Sequence, residues 1–309
     1  MARTAIPDGV WPTMITPFQA DGSIDYAGLE RLVEWYLERG VAGLFAVCQS
    51  SEMFFLSLRE RLELARACVR FAAGRVPVIA SGQTAEGLDD QVEEARMMAD
   101  TGIAALVLIT NRFARAGEDD GTFTSRLERF LEALRSDLPL GFYECPHPYK
   151  RLVSPDIMRF CVGTGRFGFL KDTSCRLGDM RAKLEAARGS PFKLFNANAA
   201  TLLASLRAGA SGYSGVMANF HPDLYVRLCA TWKSDPAGAE ELHDFLGFAS
   251  AIEYQFYPVN AMYALSLEGV PVRLMSRRVD PGRFTESMRL EVEQLMRLSR
   301  ARSNAYARR

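Results

Sequence analysis

The sequence has no excess of either charge and little lysine or histidine. Its 37 basic residues balance 37 acidic ones, so no electrostatic footprint recommends nucleic acid or an anionic membrane surface as a partner. The three histidines, His147, His221 and His243, have neither HxH nor HExxH spacing, and no dense carboxylate cluster accompanies them. A catalytic metal site is therefore not expected. The six cysteines (Cys48, Cys68, Cys145, Cys161, Cys175 and Cys229) include no CxxC pair, and several sit in apolar runs where a reduced thiol packs as a small hydrophobe. No apolar stretch is long enough to span a bilayer, and the start, MARTAIPDGVWPTM, lacks the core of a signal peptide. These absences predict a soluble cytoplasmic protein that needs no cofactor.

What is present is alternation. Short apolar runs rich in β-branched and aromatic residues recur along the 309 residues: WPTMITPF, GLFAVC, VPVIASG, AALVLIT, LGFYECP, FGFLKDT, FKLFNAN and GYSGVMAN. Helical periodicity fills the gaps, as at Tyr26 to Arg39, Leu58 to Ala73 and Leu88 to Asp100. Strict alternation means parallel strands joined by crossover helices. Eight units match a (β/α)8 TIM barrel, and no GxGxxG follows the first run as it would in a dinucleotide-binding open sheet. The expected organisation is a catalytic barrel over residues 1–233 and a helical C-terminal extension over 234–309, packed on the barrel. The tail SRARSNAYARR reads as a frayed basic end.

Barrel enzymes carry their catalytic groups at the C-terminal ends of the strands. Read that way, the candidate positions are Gln49 to Glu52, Thr110 to Arg112, Tyr143 to Pro146, Lys171 to Thr173, Asn196 to Asn198 and Met217 to Asn219. That set contains one lysine. Of the five in the chain, Lys183 and Lys233 fall on polar helical stretches, Lys150 in a Pro-rich loop and Lys193 at the start of its strand. Lysine, unlike arginine, loses its proton when desolvated and then attacks a carbonyl to give an imine. The competing assignment for Lys171 is an ion pair with Asp172. Tyr143 ends the neighbouring strand, where a phenol can shuttle protons; its bland alternative is a core aromatic.

The segments AVCQSSE, FYECP, GFLKDTS and GYSGVMAN, with PTMITPF before them and PVNAMYAL after, resemble in order and spacing the dihydrodipicolinate synthase and N-acetylneuraminate lyase family. The resemblance implies a class I aldolase or lyase with a pyruvate-type imine on Lys171, proton relay by Tyr143, and a homo-oligomer, tetramer or dimer. It implies that Gln49, Ser50, Ser51 and Ser214 bind the keto-acid substrate. Arg112, Phe113, Glu144, His147, Asn196 and Asn198 occupy the positions where such enzymes adjust specificity.

The departures narrow the substrate. Cys48, Gln49, Ser50 and Ser51 stand before the loop glutamate, Glu52, where the family usually has Gly, Thr or Ser, Thr and Gly. Pro148 stands at the synthase's substrate-binding arginine, and Arg112 and Phe113 at its auxiliary tyrosines. Asn198 and Ala199 replace the acidic pair with which sialic acid lyases hold the sugar chain. The expected activity is therefore aldol chemistry or dehydration on a 2-keto acid or keto-deoxy sugar acid, with dihydrodipicolinate synthesis disfavoured. The alternatives are a non-catalytic keto-acid-binding paralogue and a metal-dependent barrel hydrolase or aldolase.

Overall fold

The computed structural model describes residues 6–307, so the first five residues and the last two of the basic tail lie outside the description. Strands and helices alternate as β1 (Gly9–Val10), α1 (Tyr26–Glu38), β2 (Leu44–Val47), α2 (Leu58–Ala72), β3 (Val78–Ser81), α3 (Leu88–Ala99), β4 (Ala105–Ile109) and α4 (Asp120–Leu134). They continue as β5 (Leu140–Tyr143), α5 (Pro155–Gly163), β6 (Phe167–Asp172), α6 (Leu177–Ala186), β7 (Lys193–Asn196), α7 (Leu202–Arg207), β8 (Gly212–Tyr213) and α8 (Pro222–Thr231). Asp25, Ser57, Asp119 and Ser154 each accept a hydrogen bond from a first-turn backbone N–H, which sets where α1, α2, α4 and α5 begin.

The strands form one parallel sheet in the order β1-β8-β7-β6-β5-β4-β3-β2, the topology of a TIM barrel. The seam between β1 and β2 is closed by the extended chain after β1. Ala42 N–H donates to Val10 C=O, Phe45 N–H to Pro12 C=O and Met14 N–H to Phe45 C=O, at 2.9, 3.1 and 3.0 Å. The first apolar run, from Trp11, is thus not the first strand. β1 is the two residues before it, and the run contributes only single bridges, Thr13 to Phe45 and Phe18 to Ile24. Pro12 and Pro17 cannot donate to a ladder, which explains why the run does not pair continuously.

Large rings fill the interior, and glycines make room for them. A Cβ at Gly141 on β5 would stand 2.2 Å from the Phe169 ring, and one at Gly43 2.2 Å from Trp11. Neither site tolerates a side chain in a core packed to crystal density.

The extension is α9 (Pro236–Ala249), α10 (Glu253–Phe256), α11 (Val259–Leu267) and α12 (Glu286–Ala307). The tail is not frayed over the described residues: α12 runs to Ala307, with Ser299 hydrogen-bonded to His221 at 2.9 Å and Ser303 to Asp223. His221 is buried at this contact, and desolvation pushes its pKa down to about 3, so it is a neutral packing residue. At the other end Arg277 bridges to Glu60, and Ser276 donates to Glu52 at 3.0 Å. Among the described residues no helix is long and apolar enough to cross a membrane.

Candidate active site

Lys171 lies near the end of β6 and is 5% exposed. It is paired in register with Tyr143 at the end of β5. Its Nζ sits 4.3 Å from the centre of the Tyr143 ring and 5.7 Å from that of Phe45. Burial pushes the amine's pKa down to about 8, with nearby thiols and Glu253 pulling the other way. Burial also holds the Tyr143 phenol well above its ordinary pKa, keeping it a neutral proton donor.

Alternation along the strands explains why Asp172 does not capture Lys171. Tyr143 and Lys171 point into the barrel, so the next residues, Glu144 and Asp172, point outward. There the Lys183 ammonium from α6 contacts Asp172 at 2.6 Å and also bonds Glu144. Glu144 accepts further hydrogen bonds from Val153 N–H at 2.9 Å and Thr173 N–H at 2.8 Å. Asp172 accepts from Ser174 N–H at 2.8 Å. Burial works against the Lys183 charge, but the two carboxylates outweigh it and raise its pKa above the ordinary lysine value. Burial pushes Glu144 up to about 7. This buried ionic cluster ties β5, β6 and α6 together directly behind the Tyr143–Lys171 pair.

The expectation that Lys183 lies on a polar helical face is corrected: it is 2% exposed. The signal was present in the spacing. Met180, Lys183 and Ala187 follow one another at helical intervals, and all three are buried.

The remaining candidates divide into two groups. Ser214 lines a small, mostly apolar void with Lys171, Trp11, Phe45, Phe169 and Phe195. The Gln49 side chain accepts a hydrogen bond from the Cys145 thiol at 3.5 Å, and that thiol is bonded to the Tyr143 hydroxyl. Ser50 meets the Tyr257 hydroxyl, which also accepts from Asn219 Nδ2 at 3.2 Å. Of these, Ser214 shares the void with Lys171, and the Cys145 thiol bears on its amine.

Others are occupied elsewhere. The Ser51 hydroxyl donates to the backbone carbonyls of Met14 and Ala46, fixing the loop after β2. Phe113 packs among Phe123, Phe130 and Phe142. Asn196 donates to Thr201 and Ser205, and Asn198 accepts from Thr201, so both build the turn into α7. Glu144 faces the outer cluster. His147 is exposed and rests its ring 4.8 Å from Phe54, and Arg112 donates to Thr84 C=O at 2.7 Å. A cavity of about 740 Å³ lies beside Arg112, Arg115, Arg126 and Arg129. Burial and chemistry favour the Lys171 pocket over that open arginine-lined surface.

Sequence reasoning placed Cys145 only within the stretch Tyr143 to Pro146 and missed two contributors. Cys145 enters because its thiol, two residues past β5, stands between Tyr143 and Gln49. Tyr257 and Glu253 come from the extension, whose helical pattern carries no sign of which residues return to the mouth. Among the described residues no three His, Cys, Asp or Glu side chains gather as a metal site.

The fold is that of a TIM-barrel enzyme, with Lys171 and Tyr143 at the C-terminal ends of their strands. A sequence profile of the Dihydrodipicolinate synthetase family matches residues 7–298, and the chain belongs to that family of lyases. It is 28% identical over 217 residues to a 4-hydroxy-tetrahydrodipicolinate synthase of Shewanella sp. (strain W3-18-1), covering 70% of this chain and 71% of the relative. It is 27% identical over 301 residues to the enzyme of that name from Maridesulfovibrio salexigens, covering 96% of each. Among solved structures it resembles YagE of E. coli K12, a prophage protein of the dihydrodipicolinic acid synthase family crystallised in complex with pyruvate. That match has a TM-score of 0.86 at 22% identity, covering 96% of this chain and 99% of the other.

Proposed function

We propose that this protein is a class I aldolase, lyase or dehydratase that condenses Lys171 with a 2-keto acid such as pyruvate. The observation that carries this reading is a buried lysine that makes no ion pair within 4 Å among the described residues, its pKa brought down to about 8 by burial, beside a neutral phenol. The neutral amine attacks the keto carbon, and loss of water leaves an imine. Removal of a C3 proton then gives an enamine. In the condensing direction C3 bonds to an aldehyde carbon, the aldehyde oxygen takes up the proton, and water hydrolyses the imine. Tyr143, in line with Cys145 and Gln49, is placed to pass those protons. YagE was crystallised with pyruvate, which supports a keto acid as the partner of the lysine here. The testing experiment is borohydride reduction in the presence of pyruvate, with intact mass and peptide mapping of the adduct. Imine formation without turnover on any aldehyde would favour a non-catalytic keto-acid binder.

Within the family, dihydrodipicolinate formation is disfavoured. Pro148 stands where the resemblance places the synthase's arginine, and Phe113 is buried among aromatic rings. Condensation of pyruvate with aspartate semialdehyde is expected to be negligible in a coupled assay, and rapid product formation would refute this. We also assign a homo-oligomeric state, dimer or tetramer, by family likeness; a monomer at micromolar concentration in light scattering would count against it.

A further inference from the structure

We propose that Glu253, on α10 of the extension, is a specificity-determining carboxylate of this site, selecting an uncharged, hydroxyl-bearing second reactant over one with its own carboxylate. The inference rests on the Schiff-base reading of Lys171.

Placement comes first. The chain around α10 is pinned on both sides of Glu253: just before it, Ile252 C=O accepts from Asn260 Nδ2 on α11 at 2.7 Å. Just after it, Tyr257 is bonded to Ser50 of the loop after β2 and to Asn219 after β8, and the Tyr36 hydroxyl donates to that Asn219. Glu253 is half-buried between these anchors. Its carboxyl interacts electrostatically with Lys171 on β6, and it also bears on Tyr213 of β8 and Tyr257. Lys171 ends β6 and Tyr213 lies on β8, two strands away, and both feel the same carboxyl together with Tyr257, so it lies near the mouth on the β6–β8 side.

Glu253 makes no close ion pair, although the Lys171 ammonium bears on it at longer range. No ion pair within 4 Å includes it among the described residues; its hydrogen bond is to the neighbouring Tyr254 hydroxyl, and Tyr254 is 79% exposed. Two other cations of the surrounding loops are committed to the backbone: Lys150 donates to Thr173 C=O at 2.7 Å, and Arg278 to Tyr257 C=O. An acceptor-only carboxylate with unfilled lone pairs suits a reactant that brings O–H donors. A second carboxylate in the same half-desolvated space meets like-charge repulsion.

Glycolaldehyde and glyoxylate form a size-matched pair of probes, neutral and anionic. With pyruvate as donor, wild-type protein is expected to prefer glycolaldehyde by about tenfold or more in kcat/KM, the modest end of a like-charge penalty. Glu253→Gln should shrink that preference by about tenfold, chiefly through faster use of glyoxylate. Borohydride trapping of pyruvate on Lys171 should persist in both proteins. An unchanged preference in Glu253→Gln overturns the role of Glu253, as does trapping without condensation of either aldehyde. Absence of pyruvate trapping in the wild type overturns the Schiff-base reading instead.

Discussion

Lys171→Ala is expected to form no borohydride-stable adduct with pyruvate and to show no turnover. No other lysine is placed to substitute. Lys183 is locked between Glu144 and Asp172, Lys150 is exposed and bonded to a backbone carbonyl, and Lys193 pairs with Asp8. For the wild type, trapping should rise with pH and level off above about 8, because burial lowers the pH at which the reactive neutral amine appears. An unperturbed lysine would not level off until about 10.4. Tyr143→Phe belongs in the same assay. It removes one oxygen, so the ring should still pack against Phe45. It should also keep trapping while losing about 10²-fold in turnover, the scale of a positioned acid or base. An adduct on another lysine, or undiminished trapping in Lys171→Ala, would overturn the mechanism.

The second large effect is on stability. Lys183→Met keeps the length of the side chain but removes the only cation bonded to two buried carboxylates, Glu144 and Asp172. Breaking a buried pair from one side costs about 3–5 kcal/mol, since the remaining charges stay desolvated. Thermal or urea unfolding of the purified variant would measure it. The sign of its pH dependence follows from burial. In the variant the burial that raises the Glu144 pKa is no longer opposed by the Lys183 charge, so the folded protein holds a proton that the unfolded chain releases. The deficit should therefore be largest near pH 8 and shrink towards pH 5. A variant within 1 kcal/mol of wild type at pH 8 would mean that the cluster contributes little.

The barrel was legible because each strand announces itself locally, through an apolar run of the right length between helical stretches. Lys171 and Tyr143 were legible for the same reason: each falls at a strand's end, and the fold class gives that end its meaning. The misreadings concern partners far apart in sequence. Lys183 looked solvated because its two carboxylates lie 39 and 11 residues away. Asn196 and Asn198 looked available to a ligand because the hydroxyls of Thr201 and Ser205 become their partners only once the turn into α7 forms. The first strand was shifted because the run from Trp11 has the composition of a strand but carries two prolines. Glu253 and Tyr257 had no local mark at all, since their meaning depends on the path of the extension across the barrel.

That path has a consequence for biogenesis. Lys171 is translated well before the residues of the extension that gather near the site, for Glu253 and Tyr257 follow it by more than 80 positions. Chains fold from the N-terminal end as they emerge. A nascent barrel complete through β8 thus already carries its amine, and the Glu253 carboxyl that bears on Lys171 arrives only when the last helices dock.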